Sequence, residues 1–357
     1  MASKKEKTKE VAKKAPVKKP VAKKAPAKKP VAKEAPAKKV GARKEEAAEE
    51  KPEEEVEEEK EETVLDKYKK AGDVASKILQ HLKEIAKPGV KALDLCETAD
   101  RMIREAGMKT AFPLNVSVNN HCAHYTSPWE DELILKKGDV VKIDCGVQYD
   151  GYIADTALTV AFDDVHNDLI KASREATETA VKVIRVGGYT GKLGDLIENI
   201  IEGYGFTTIK DLSGHLLMQH RVHGPKSIPN VAGRKGNLIL QDEAYAIETF
   251  ASTGTGESHQ DRTKRYIIRL AEGRFPLRTD AAKQVRRLLD KEYHKMPVAT
   301  RWIYKEIGTA KAKMGIRELA QVGAIYQYHV LSDVSGSFVS QHEHTVYMTP
   351  EGPIKTT

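Results

Sequence analysis

Residues 142–160 read KIDCGVQYDGYIADTALTV, two β-strand patterns joined by a tight turn at Asp150-Gly151. Each strand carries one carboxylate, Asp144 and Asp155, in a run otherwise fit for burial. A two-residue turn fixes which residues face each other. A turn at Tyr149-Asp150 pairs Asp144 directly with Asp155, and a turn at Asp150-Gly151 makes them diagonal neighbours. Either register puts both acids on one face of the sheet, and a three-residue turn would separate them. Two like charges among Val, Ile and Ala need a shared proton, a cation, or a sheet edge with a lysine partner.

Further acids break later strand patterns: Glu248 within YAIETF and Glu343 within QHEHT. Between them and the hairpin, SGHLLMQHRVH holds His215, His220 and His223. In an extended strand His215 and His223 share a face and His220 does not. Four carboxylates and a histidine suit two divalent ions, because four negative charges balance two such cations and oxygen-rich ligation accepts Co, Mn, Fe or Zn.

The 357 residues carry a net charge of +7, distributed unevenly. Residues 1–44 hold a net +14 and residues 45–62 a net −10, leaving the rest at +3. The basic block contains a ten-residue Lys-Pro-Ala repeat over residues 11–40. Without aromatics and dense in like charge, residues 1–62 are expected to be a disordered tail. Three cysteines are too few for a disulfide framework and suit a reducing compartment. No apolar run reaches a membrane span, and the N-terminus lacks a secretory core, so a cytoplasmic protein is expected.

From Leu65 onward, periodicity predicts helices over about 65–87, 92–106, 165–186 and 193–204. Strands are expected near 108–161, 214–224, 242–251, 324–331 and 337–348, with three short helices over 279–322. Strand runs beside helix runs indicate an α+β class. RVGGYTGKLG, residues 185–194, fails as a phosphate loop: Leu193 stands where Ser or Thr is needed. It reads as an interhelical turn.

Together, NNHCAHYTSP, KIDCGVQYDGYIADTA, SGHLLMQHRVH, YAIETF and QHEHT resemble the type 2 methionine aminopeptidases. The five proposed ligands are separated by intervals of 11, 60, 33 and 95 residues. The resemblance covers about Leu65 to the C-terminus. It implies a pita-bread fold over residues 63–357, with a helical insertion at about 260–325. It implies metal ligation by Asp144, Asp155, His215, Glu248 and Glu343, with Asp155 and Glu343 bridging two ions. Glu248 would also take a proton when a metal-bridging hydroxide attacks the first peptide bond. His124 would sit near the scissile amide and His223 would stabilise the oxyanion. Phe112, Val222, Phe250 and Tyr328 would line the methionine pocket.

The implied substrates are the N-termini of new polypeptides with a small second residue, handled by a monomer. The basic tail, as in eukaryotic members, would attach to ribosomal RNA. Competing readings are an X-Pro aminopeptidase and a non-enzymatic RNA-binding relative of the same fold. His342 departs from the family's apolar residue and should face away from the metals. Cys145 reads as a small buried hydrophobe.

Overall fold

A computed structural model describes residues 61–357. The expectations for the basic block and its repeat, and nearly all of the 1–62 tail, lie outside the described residues. The first half contains helices α1 (Val64–Ile85) and α2 (Ala92–Glu105), then strands β1 (Lys109–Val118), β2 (His121–Ala123), β3 (Val140–Tyr149) and β4 (Tyr152–Ala161). The second half opens with α3 (Asn167–Val183) and α4 (Thr190–Gly203), followed by β5 (Thr207–Thr208), β6 (Ser213–Leu217), β7 (Ser227–Pro229) and β8 (Ala244–Ser252). Then come β9 (His259–Asp261), β10 (Ile267–Leu270), α5 (Asp280–Leu288), β11 (Val298–Ala299), α6 (Thr300–Ile307) and α7 (Thr309–Gln321). The chain closes with β12 (Ile325–Tyr328), β13 (Val330–Ser332), β14 (Val339–Thr349) and β15 (Gly352–Lys355).

Local sequence explains the helix limits. Thr63 caps α1 in a reciprocal box with Asp66, satisfying two free backbone donors. Tyr68, Ala71, Ala75, Ile78, Leu79 and Leu82 form its buried stripe. The helix expected from residue 193 begins earlier, at Thr190, whose hydroxyl accepts from the Asn237 amide. The connection before it is an interhelical turn, tied to the chain's other side by the Tyr189–Leu238 bridge.

One sheet runs β1-β3-β4-β14-β8-β6-β7, with β15 on β14 and β5 on β8. Helices α1 and α2 pack on β1, β3 and β4, and α3 and α4 pack on the β14–β8 side. The result is an α+β fold of two similar halves. Their seam, between β4 and β14, has one paired position, Glu343 with Ala157. Threonine hydroxyls span the rest. Thr345 Oγ1 donates to Asp155 O and accepts from Asp155 N, both at 2.8 Å. Thr159 does the same with Gln341, again at 2.8 Å. Thr156 Oγ1 donates to Glu343 O at 2.9 Å. Side-chain bridges thus stand in for most of a backbone ladder along the seam.

Helices α5–α7 and the β11-β10-β12 sheet enclose their own core, including Ile268, Val285, Leu289, Ile303 and Leu319. A largely buried ion pair fastens this α5–α7 region to α2: Arg301 Nη2 lies 2.8 Å from Asp100 Oδ2.

Asp333, after β13, gathers five donors: Ser252 Oγ, both donors of Thr255, and the amides of Gly256 and Val334. Burial pushes its carboxyl up, but the hydrogen bonds prevail and hold it below 3.8. Asp333→Ala is expected to cost about 2–4 kcal/mol in urea unfolding at pH 7. A depressed folded pKa gives stability above the unfolded value that is lost on acidification. The gap between wild type and variant should therefore shrink below pH 3.8.

Candidate metal centre

The β3–β4 register pairs Tyr149 with Tyr152, so the turn is Asp150-Gly151, with φ of 51° and 81°. Both central residues are left-handed, as the twist-matched two-residue hairpin turn requires. Asp144 then faces Ala157 and Asp155 faces Gly146, making the acids diagonal neighbours on one face.

Register carries this face across the seam. Ala157 pairs with Glu343, and Glu343 pairs with Glu248 on β8. His215 on β6 pairs with Ala246, two residues from Glu248. Alternation therefore places Asp144, Asp155, Glu343, Glu248 and His215 on one face. The opposite face explains the bystanders. Ile143 and Cys145 enter the core under α1 and α2, and Tyr245 and Ile247 enter the core under α3 and α4. His342, one residue from Glu343, lies on that opposite face with its ring 5.0 Å from that of His344.

Ligand atoms of Asp155, His215 and Glu343 all lie within 4.8 Å of one another, the one such group among the described residues. His215 Nε2 is 3.7 Å from Asp155 Oδ2. Asp144 and Glu248 flank this trio in the same row. Gln341 Nε2 reaches both Glu248 Oε2 and Glu343 Oε2 at 3.3 Å, and Asn115 Nδ2 reaches Asp144 Oδ2 at 3.3 Å. Nothing in the local sequence marks Asn115 and Gln341, although both follow from register: Asn115 pairs with Asp144, and Gln341 sits two residues from Glu343.

No lysine or arginine neutralises these acids among the described residues. Lys142, fully buried two residues from Asp144, instead donates to Asn119 O and Val339 O at 2.8 Å. Burial drives the Asp144 carboxyl up to about 7. Burial first, and the neighbouring carboxylates second, raise Asp155, Glu248 and Glu343 well above their ordinary range. Burial lowers His215 to about 4, keeping it neutral. Asp144 Oδ1, Glu343 Oε1 and His215 Nδ1 are buried without any hydrogen-bond partner. Such orphaned atoms beside crowded acids fit divalent cations, which would supply the missing partners and charge.

Sequence alternation fails for His223. Strand β6 ends at Leu217, and Met218 and Arg221 exchange backbone bonds that reverse the chain. This turn, rather than a continued strand, brings the His223 ring to 4.5 Å from that of His215. Burial, then the nearby His215 and His124, push His223 well below its usual pKa. His124 has φ of 66°, and its Nδ1 donates to His329 O at 3.1 Å, which leaves Nε2 as the unprotonated nitrogen. Its ring meets that of Tyr328 edge-on at 5.4 Å.

Phe112 and Val222 join one apolar cluster with Tyr68, Leu217, Ala246 and Met296. Phe250 packs in a different cluster with Cys122, Ile209 and Val339. Gly146 is required by Phe112, because an added Cβ would lie 2.2 Å from Phe112 Cε1. Met296 comes from the segment between α5 and β11, and nothing in the local sequence marks it.

The model of metallopeptidase family M24 matches residues 66–272, more than half the chain. This chain belongs to metallopeptidase family M24, a family of hydrolases that use divalent metal. A methionine aminopeptidase of Thermococcus onnurineus is 40% identical over 289 residues, 81% of this chain and 97% of that protein. Methionine aminopeptidase 2A of Arabidopsis thaliana is 33% identical, covering 80% of this chain and 68% of its own. Within the family, the chain therefore falls among the methionine aminopeptidases, with a type 2 member among its relatives.

Among solved structures, a thermophilic Arx1 has a TM-score of 0.74 at 22% identity, covering 82% of this chain and 90% of its own. A methionine aminopeptidase from Thermotoga maritima has a TM-score of 0.58 at 23% identity, covering 82% and 96%. A prolidase from Pyrococcus furiosus has a TM-score of 0.54 at 15% identity, covering 82% and 63%. These neighbours share the pita-bread fold expected from the sequence.

Proposed function

We propose that this protein removes the initiator methionine from new polypeptides, using two divalent cations held by Asp144, Asp155, His215, Glu248 and Glu343. The observation that carries this reading is the single row of four uncompensated acids at the seam, with His215 beside it. Bound there, the cations would supply an acidified water and Lewis-acid polarisation of the scissile carbonyl. Their identity is one of Co, Mn, Fe or Zn, given the mostly oxygen donor set.

The chain's own residues do the remaining work. Gln341 fixes one oxygen of Glu248, which orients the other to take the attacking water's proton. His223, held neutral by burial, donates an N–H toward the oxygen where charge develops. His124 offers Nε2 as an acceptor to the substrate's scissile amide. Phe112 and Val222, with Met296, give an apolar wall for an unbranched thioether. Tyr328, against His124 and His223, would add to the lining, while Phe250 packs in a separate cluster and would reach the pocket only from that side.

His223→Ala is expected to lower kcat on Met-Ala-Ser about 10²–10³-fold, with a smaller change in KM, the signature of a transition-state donor. The specificity reading is tested by comparing Met-Ala-Ser with Ala-Pro peptides. Release of methionine from the first and no cleavage of the second supports it. Preferential Ala-Pro cleavage would favour an X-Pro aminopeptidase. The non-enzymatic alternative requires lost ligands, whereas all five are present.

The setting we propose is the cytoplasm, with the enzyme acting as a monomer. No helix among the described residues is long and apolar enough to cross a membrane. The basic tail attaches the enzyme to ribosomal RNA through phosphate neutralisation. Unchanged ribosome co-sedimentation at low salt after deletion of residues 1–62 would refute that attachment.

A further inference from the structure

The loop between β6 and β7 carries Val222 and His223, and its tip is Gln219-His220. Met218 and Arg221 close it with two backbone hydrogen bonds of 3.0 and 2.9 Å. His220 has φ of 57°, a left-handed conformation that a non-glycine residue adopts at a cost. That conformation lays the tip on the turn of the β3–β4 hairpin. His220 N donates to Gly151 O at 2.8 Å, and Gln219 Nε2 donates to Asp150 O at 2.9 Å. The imidazole covers Gly151 so closely that an added Cβ there would lie 2.4 Å from His220 Cε1.

Both sides of this contact are anchored. Lys67 of α1 holds Asp150 at 2.5 Å. The His294 ring, from the segment between α5 and β11, faces His220 at 6.0 Å between centroids. Arg221 Nε, next to the tip, donates to His223 O, two positions on, at 2.9 Å. Gly151, in the turn, lies four residues before Asp155 of β4.

We infer that His220 is a positioning residue: its ring clasps the hairpin turn and so fixes His223 relative to the acids of β3 and β4. The inference rests on the reading of His223 as oxyanion donor for its kinetic consequence, but not for its structural one. The ring is inferred to act by shape: it packs on Gly151, which carries no charge, while the neighbouring Asp150 carboxylate is paired with Lys67. An aromatic side chain of another kind should therefore replace it.

The test uses His220→Gly, which removes the ring and keeps the φ, His220→Tyr, which keeps a planar ring, and His223→Ala with and without His220→Gly. With Met-Ala-Ser, His220→Gly is expected to lower kcat about tenfold with KM changed less than twofold, and His220→Tyr to recover most of it. In the His223→Ala background, His220→Gly should add nothing. An equal loss in both backgrounds, or no loss in either while His223→Ala itself is impaired, would overturn the inference. The second readout is the His223 Hε1 resonance of the zinc-loaded protein, which should shift or broaden in His220→Gly and return in His220→Tyr. An unchanged resonance overturns the clasp, whatever the kinetics show. Full activity of His223→Ala with a shifted resonance retains the clasp and removes the oxyanion role.

Discussion

Asp155→Asn is expected to abolish turnover of Met-Ala-Ser and to remove the thermal stabilisation that divalent metal gives the wild type. The side chain is almost fully buried, and its backbone is pinned to Thr345 across the seam, so the amide stays where the carboxylate was. Loss of an outer partner of a metal ligand costs about 10–100-fold. Loss of a ligand that lies with His215 and Glu343 should exceed that, to about a thousandfold or more.

The metal-free protein should show the opposite sign in stability. Burial and the neighbouring acids raise the folded pKa of Asp155 above its ordinary 3.8. A raised acid favours the folded state below that value and loses its contribution as pH rises. The amide has no such loss. In metal-free protein the melting temperature of Asp155→Asn relative to wild type should therefore climb above pH 3.8. Calorimetry with and without metal reads both effects. A variant that kept turnover and still bound metal would remove Asp155 from the site.

The largest expected loss of stability comes from Asp100→Ala. Arg301 is 4% exposed, and its guanidinium also donates to Thr126 Oγ1 at 2.7 Å and Ser127 O at 3.2 Å. Trp302 Nε1 shares the same Asp100 oxygen at 2.7 Å. Removing Asp100 leaves a buried cation without its counter-charge, which costs about 3–5 kcal/mol. Urea unfolding should show this loss. The pair change Asp100→Leu with Arg301→Met should recover much of it, because apolar replacement also removes the desolvation penalty. A single-variant loss below about 1 kcal/mol would mean that water already reaches Arg301.

Period-two alternation and one tight turn place Asp144 and Asp155 on one face in the sequence alone, whereas the joining of His215, Glu248 and Glu343 to them is implied there only by the family resemblance, because cross-strand register is not written in the sequence. What stayed open was whether Asp144 and Asp155 face each other directly or diagonally. The left-handed Asp150-Gly151 pair selects the diagonal register. Strand alternation alone would put His215 and His223 on one face, but the chain turns back at Met218–Arg221, and it is this turn that brings their rings together.

Asn115 and Gln341 could have been found by applying the same parity argument to neighbouring positions. Met296 could not, since only tertiary packing of the segment between α5 and β11 brings it to Phe112 and Val222. Nor could the seam, where threonine hydroxyls replace a backbone ladder and no periodic pattern marks the change.

The central claim is tested most directly by titrating metal-free protein with Mn, Co, Fe or Zn while measuring free methionine released from Met-Ala-Ser. The expected result is no release without metal, then a rise that saturates near two equivalents with at least one of the four ions. Release by the metal-free protein, or none at any concentration of any of them, would contradict it.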